Sequence, residues 1–195
     1  MSDMRRRRLG RAALAWLALA ALTGLAAGCS RGGGRASSQA SLPAGIPQRI
    51  KVSSPAFTDG AAIPARFSCD GEERSPPLAW SGVPAGTAEL ALVVDDPDAP
   101  GGTFVHWVVF HLDPRLTRLA EGTLPRGARQ AQGSSGRSAW TGPCPPPGPA
   151  HHYRFTVYAL SHGLSLDDGV GAQTAIAAIA RVATASGRLT GTFRR

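Results

Sequence analysis

Glu89-Leu90-Ala91-Leu92-Val93-Val94-Asp95-Asp96-Pro97-Asp98-Ala99-Pro100, followed after two glycines by Thr103-Phe104-Val105-His106-Trp107-Val108-Val109-Phe110-His111-Leu112, decides how this chain folds. Residues 88–95 and 103–112 are short apolar runs rich in β-branched and aromatic residues and bounded by turn residues, so both read as strands. Their alternate positions are apolar on both sides, which requires a sheet covered on each face. Tyr153-Arg154-Phe155-Thr156-Val157-Tyr158-Ala159-Leu160 is a third run of the same kind.

Turn punctuation surrounds these runs: Thr58-Asp59-Gly60, Asp70-Gly71, Ser75-Pro76-Pro77, Pro84-Ala85-Gly86, Pro97 to Gly102 and Gly142 to Gly148. One segment has a different period. Ile176, Ile179, Ala180 and Ala183 recur at three- and four-residue intervals between Gly171 and Gly187, which predicts a helix there and a short last strand over Leu189 to Phe193. The expected architecture is mainly β with one helix near the C-terminus.

The N-terminus has another character. Arg5, Arg6, Arg7, Arg8 and Arg11 precede an apolar run from Ala12 to Leu22, too short to span a bilayer, and the run leads to Leu25-Ala26-Ala27-Gly28-Cys29. That order reads as a signal peptide over residues 1–28, and its end resembles the lipobox at which bacterial lipoproteins are cut and diacylated on cysteine, here Cys29. Sec and twin-arginine export both remain open. Ser30 lacks the acidic character of an inner-membrane retention signal, so the expected location is a lipid anchor in the periplasm, on the outer rather than the inner membrane. Residues 29–49 are rich in Gly, Ser, Ala and Pro and read as a tether. The remainder, 50–195, suits one domain that buries roughly two-thirds of its unfolded surface.

The chain has 21 basic and 13 acidic residues, a formal charge of +8; five of the basic residues and one acid precede Cys29, leaving 16 against 12, or +4, in the mature part. Those arginines are scattered, with no basic helix or aromatic-interleaved stripe, so no nucleic-acid partner is expected. With Cys29 taken by lipid, Cys69 and Cys144 are an even pair in an oxidising compartment, and a bridge or two free thiols both remain open. No close-spaced metal ligands and no Gly-x-Ser-x-Gly elbow occur, so neither a metal, a cofactor nor a hydrolase is expected.

Two stiff segments concentrate the remaining chemistry. Asp95-Asp96-Pro97-Asp98-Ala99-Pro100 leaves a strand through two prolines shortly before His106-Trp107, and Gly142-Pro143-Cys144-Pro145-Pro146-Pro147-Gly148 leads into His151-His152-Tyr153. Prolines leave these loops little entropy to lose, so each can hold a polar side chain against a neighbour. Together with Cys69-Asp70-Gly71-Glu72 and Ser75-Pro76-Pro77-Leu78-Ala79-Trp80, these stretches resemble the signature segments of the phosphatidylethanolamine-binding protein family in its bacterial, Raf-kinase-inhibitor-like branch, from about Ile50 to Arg194.

The resemblance implies a central antiparallel sheet packed on a smaller one. It implies a pocket lined by Asp96, His106, His151 and Tyr153, with Gly142, Pro143, Cys144, Pro145 and Pro146 forming a wall, that binds phosphate-like anions or phospholipid head groups. Imidazolium and phenol donors would hold the anion, and the carboxylate would orient an imidazole or pair with a head-group ammonium. A second implied reading is a protein-interaction module acting on a periplasmic protease. Monomer and homodimer both stay open.

The chain departs from the family pattern in two places. The usual His-Arg-Tyr is His151-His152-Tyr153, which removes one guanidinium unless Arg154 supplies it, and residues 129–141 differ from the bacterial relatives. By strand parity His152 points away from the face shared by His151 and Tyr153. His111 has the parity opposite to His106 and reads as structural or surface, and His162 lies in an exposed turn.

Overall fold

The computed structural model describes residues 45–195; the signal peptide, Cys29 and most of the tether lie outside the described residues. A five-stranded antiparallel sheet, in the order β6 (Arg129–Gln130), β4 (Phe104–Leu112), β3 (Glu89–Asp96), β7 (His151–Leu160), β8 (Ala183–Phe193), forms the centre. A three-stranded antiparallel sheet of β1 (Lys51–Ser53), β2 (Leu78–Ser81) and β5 (Arg118–Leu119) packs on one of its faces, and the helix α1 (Ala172–Val182) packs on the other.

Every residue of β3 is buried, as a strand apolar at all positions must be when both faces are covered. Its side chains alternate between two cores. Leu90, Leu92 and Val94 join Val52, Leu78, Trp80, Phe155 and Val157 beneath the small sheet, whereas Ala91 and Val93 join Phe110, Tyr158, Ile176 and Ile179 beneath α1. At the far end of β3 the buried Glu89 carboxylate accepts the backbone N–H and ring Nδ1 of His111 at 2.8 and 3.0 Å and the Leu164 N–H at 3.1 Å. His111 has a φ of +58° and lies where the β3–β4 register shifts, so it is a structural residue of a bulge.

The helix buries Ala172, Ala175, Ile176 and Ile179, one apolar stripe at intervals of three, four and seven. It is one turn shorter than its periodicity suggests. Ala180 is exposed, Ala183 already belongs to β8, and β8 runs for 11 residues where only Leu189 to Phe193 had been expected. The reason is tertiary: β8 pairs with β7 along its whole length, from Ala183 opposite Leu160 to Phe193 opposite His151. Gly187, which reads locally as a helix stop, lies inside that strand. A Cβ there would come within 1.9 Å of the Ile50 carbonyl, so the glycine admits the chain segment that crosses β8.

That segment also moves the domain boundary. Residues 46–49, assigned above to the tether, are built into the domain: Ile46 packs against the α1-side core, the Ser186 N–H donates to the Pro47 carbonyl at 2.9 Å, and the Arg49 and Ile50 N–H groups donate to the Ser186 carbonyl at 2.9 and 3.0 Å.

Cys69 and Cys144 form a disulfide across 75 residues of sequence. A loop of that length lost from the unfolded state is worth about 4 kcal/mol in the chain-entropy account. The double variant Cys69→Ser, Cys144→Ser is therefore expected to unfold at a lower urea concentration than the oxidised parent by an amount equivalent to about 4 kcal/mol. Reduction of the parent should reproduce the shift.

Candidate functional site

β3 ends in two consecutive acids, and consecutive strand residues face opposite sides of a sheet. Asp95, 0% exposed, turns to the α1 side, where the Arg154 guanidinium grips it with Nε 3.1 Å from Oδ1 and Nη2 on Oδ2. Burial pushes the Asp95 carboxyl up and Arg154 pulls it back. Asp96, 3% exposed, turns to the other side and accepts the His151 ring Nδ1–H at 2.7 Å through Oδ2. Its Oδ1 accepts the Asp98 N–H at 2.8 Å, so the carboxylate folds the Pro97 turn back on itself. With both oxygens engaged, Asp96 orients an imidazole. Arg154, committed to Asp95 on the far face, does not stand in for the guanidinium that His152 replaces.

The same parity distributes β7. His151 and Tyr153 face a cavity of about 170 Å³, while His152 lies outside and pairs with Asp98 at 2.7 Å. Hydrogen bonds from the His152 ring and N–H pull the Asp98 carboxyl below its usual range. On β4, Phe104 and His106 project to the cavity side, with their ring centroids 4.7 Å apart. Asp96, His106, Gly142, Cys144, Pro145, Pro146, His151 and Tyr153, from distant parts of the sequence, are thus brought to one hollow.

Pro143 is the exception among the anticipated residues. It is buried but does not line the cavity; its carbonyl accepts the Cys69 N–H at 3.1 Å, anchoring the wall from behind. Four lining residues were not anticipated: Ala99, Pro100, Phe104 and Thr141. Phe104 was legible, since it has the strand parity of His106. Ala99 and Pro100 continue the Asp-Pro-Asp turn. Thr141 gave no signal, because it acts through a backbone carbonyl. The wall itself is pinned by the disulfide, by the Gly142 N–H donating to Glu73 Oε1 at 3.2 Å, and by Trp140 Nε1–H donating to the Phe67 carbonyl at 3.3 Å. A Cβ on Gly142 would meet that same carbonyl at 2.7 Å, so only glycine allows the wall to lie this close.

The polar atoms of the floor are unusual. His106 donates from Nδ1 to the Thr141 carbonyl at 2.8 Å, and among the described residues its buried Nε2 and the buried Tyr153 hydroxyl have no hydrogen-bond partner. The two rings meet edge to face with centroids 5.1 Å apart. Burial pushes the His106 pKa down against the opposing pull of the Thr141 carbonyl and Asp96, and burial together with Asp96 and Asp98 pushes the Tyr153 hydroxyl up. Burial thus favours the neutral His106 imidazole, in which Nε2 is an acceptor where the sequence had suggested an imidazolium donor. Among the described residues, no arginine or lysine lines the cavity. Among the described residues, no group of three His, Cys, Asp or Glu side chains could hold a metal ion.

Comparison with known proteins gives a consistent result. The sequence profile of the family described as "Phosphatidylethanolamine-binding protein" matches residues 53–194. A Mycobacterium tuberculosis protein named LppC, described as a candidate lipoprotein, is 45% identical over 197 residues, covering 95% of this chain and 97% of its own length. Among solved structures, a candidate phosphatidylethanolamine-binding protein homologue from Chlamydia trachomatis superposes with a TM-score of 0.71 at 36% identity, covering 76% of this chain and 99% of its own. E. coli YbcL, described as a member of the mammalian family, superposes with a TM-score of 0.72 at 30% identity, covering 75% and 99%.

A histidine whose pKa is lower folded than unfolded stabilises the fold fully above its unfolded value of about 6.5, and that contribution is lost as pH falls through the folded value. Acidification from pH 7 to pH 5 is expected to lower the urea midpoint of the parent more than that of a His106→Gln variant. An NMR titration of the His106 ring should give a midpoint below 6.5 with the proton on Nδ1 at neutral pH.

Proposed function

The chain belongs to the phosphatidylethanolamine-binding protein family, and from that premise we propose that it is an exported, lipid-anchored binding protein whose cavity captures a small phosphate-like anionic group. One observation carries the reading: the His106 Nε2 and the Tyr153 hydroxyl are buried on the cavity floor with no partner among the described residues. Leaving a buried polar atom unsatisfied costs about 1–3 kcal/mol, a cost that a bound ligand offsets. His151, with Nδ1 fixed by Asp96, has Nε2 as its ring nitrogen for a ligand.

The shape supports binding over turnover. A cavity of about 170 Å³ accommodates a head group and little more, and its rim is made of Ala99, Pro100, Pro145 and Pro146. The lining has an oriented imidazole but no serine or thiol nucleophile beside it, since Cys144 is oxidised. Because both Asp96 oxygens are already engaged, the anionic part of a ligand dominates recognition, and a head-group ammonium would stay at the rim.

Export and anchoring rest on the arginine-led apolar run and the Leu25 to Cys29 box, together with a relative described as a candidate lipoprotein over nearly its whole length. The lipid on Cys29 would hold the domain at the periplasmic surface of the outer membrane.

Calorimetric titration of the purified protein with phosphoethanolamine at pH 6 should give saturable binding. Tyr153→Phe, which removes one donor and almost no volume, is expected to weaken it roughly tenfold, and His151→Ala at least as much. Binding unchanged in both variants would sink the assignment of the site. Metabolic labelling with a fatty acid should mark the parent and leave Cys29→Ser unlabelled.

A further inference from the structure

The floor of the cavity sets a requirement on its ligand beyond negative charge. Because a carbonyl can only accept, the 2.8 Å contact to Thr141 puts a proton on the His106 Nδ1, and in the neutral ring that burial favours Nε2 is a lone-pair acceptor. Beside it, 5.1 Å away ring to ring, the Tyr153 hydroxyl is a donor. A ligand that satisfies both atoms must present an O–H to His106 and, next to it, an oxygen that accepts from Tyr153. The groups facing His106 are Tyr153, Phe104, the Thr141 carbonyl, the Asp96 carboxylate and His151, and among the described residues no arginine or lysine joins them.

We infer that the cavity selects a hydrogen-bearing monoanion, the singly protonated form of a phosphomonoester, over phosphodiesters and other oxyanions that carry no proton. This rests on the proposed anion-binding reading and narrows it. A phosphomonoester monoanion places P–O–H on the His106 Nε2 and P–O⁻ on the Tyr153 hydroxyl. A phosphodiester, the linkage in an intact phosphatidylethanolamine, has no P–O–H, so nothing on its phosphate donates to the His106 Nε2. The loss of one buried hydrogen bond corresponds to discrimination on the order of ten- to a hundredfold. The ligand chemistry is shared by a soluble phosphomonoester and by phosphatidic acid, a lipid whose head group is a monoester.

The test uses two ions of nearly the same shape and the same single charge at pH 5.5, methyl phosphate and methyl sulfate, which differ in that only the first carries a hydrogen. Calorimetry with the purified protein should show methyl phosphate binding on the order of ten- to a hundredfold more tightly. Its affinity should fall about tenfold per pH unit above roughly pH 6, where a phosphomonoester loses its second proton. Vesicles containing phosphatidic acid that compete with methyl phosphate would make the lipid a source of the ligand, and binding without such competition would make the source soluble; both outcomes support the inference. Equal binding of methyl sulfate, affinity that is flat or rising towards pH 8, or equal competition by phosphatidylethanolamine vesicles would overturn it while leaving anion binding intact. No binding of either ion at any pH would overturn the anion-binding reading and this inference together.

Discussion

Two carboxylates in succession at the end of a buried strand govern the arrangement of this molecule. Asp95 and Asp96 leave β3 on opposite faces, and neither could be tolerated there alone, since an unpaired buried charge costs several kcal/mol. β7 answers both, with Arg154 on one face and His151 on the other, at positions three residues apart that strand parity sends to opposite sides. The pairing therefore locks β3 to β7 at the cavity end of the sheet. It also sets the two faces apart, because the guanidinium engages both oxygens of its acid whereas the imidazole keeps one ring nitrogen in reserve on the cavity side.

Around that pair the cavity is built by stiffness more than by charge. The Pro97 turn is folded by the Asp96–Asp98 contact, and the Pro145–Pro146 wall is tied by one disulfide, two side-chain hydrogen bonds and a glycine pressed against backbone. Such loops lose little entropy when a ligand arrives. The consequence is a small hollow preformed around two buried polar atoms that have no partner among the described residues.

The replacement of the family's arginine by His152 fits this economy. His152 pairs with Asp98 outside the cavity, and both its ring and its backbone N–H hold the Asp98 carboxylate. The outer edge of the Asp-Pro-Asp turn thus has its partner, and the cavity lining is left without a permanent cation.

Much of this was legible in the chain itself. Short apolar runs bounded by turn residues identified three of the four long strands and their two-sided burial, the His-x-Tyr and Phe-x-His spacings determined which rings share a face, and the Asp-Pro-Asp and Gly-Pro-Cys-Pro stretches marked the stiff loops, because strand parity and proline geometry are local properties. Pairing across the sheet was not local. It carried β8 back to Ala183, ended α1 early, drew residues 46–49 into the domain, closed Cys69 on Cys144 and turned Pro143 away from the cavity. The position of the proton on His106 belongs to the same class: it depends on a carbonyl 35 residues away, and no side-chain pattern encodes where a backbone oxygen will lie.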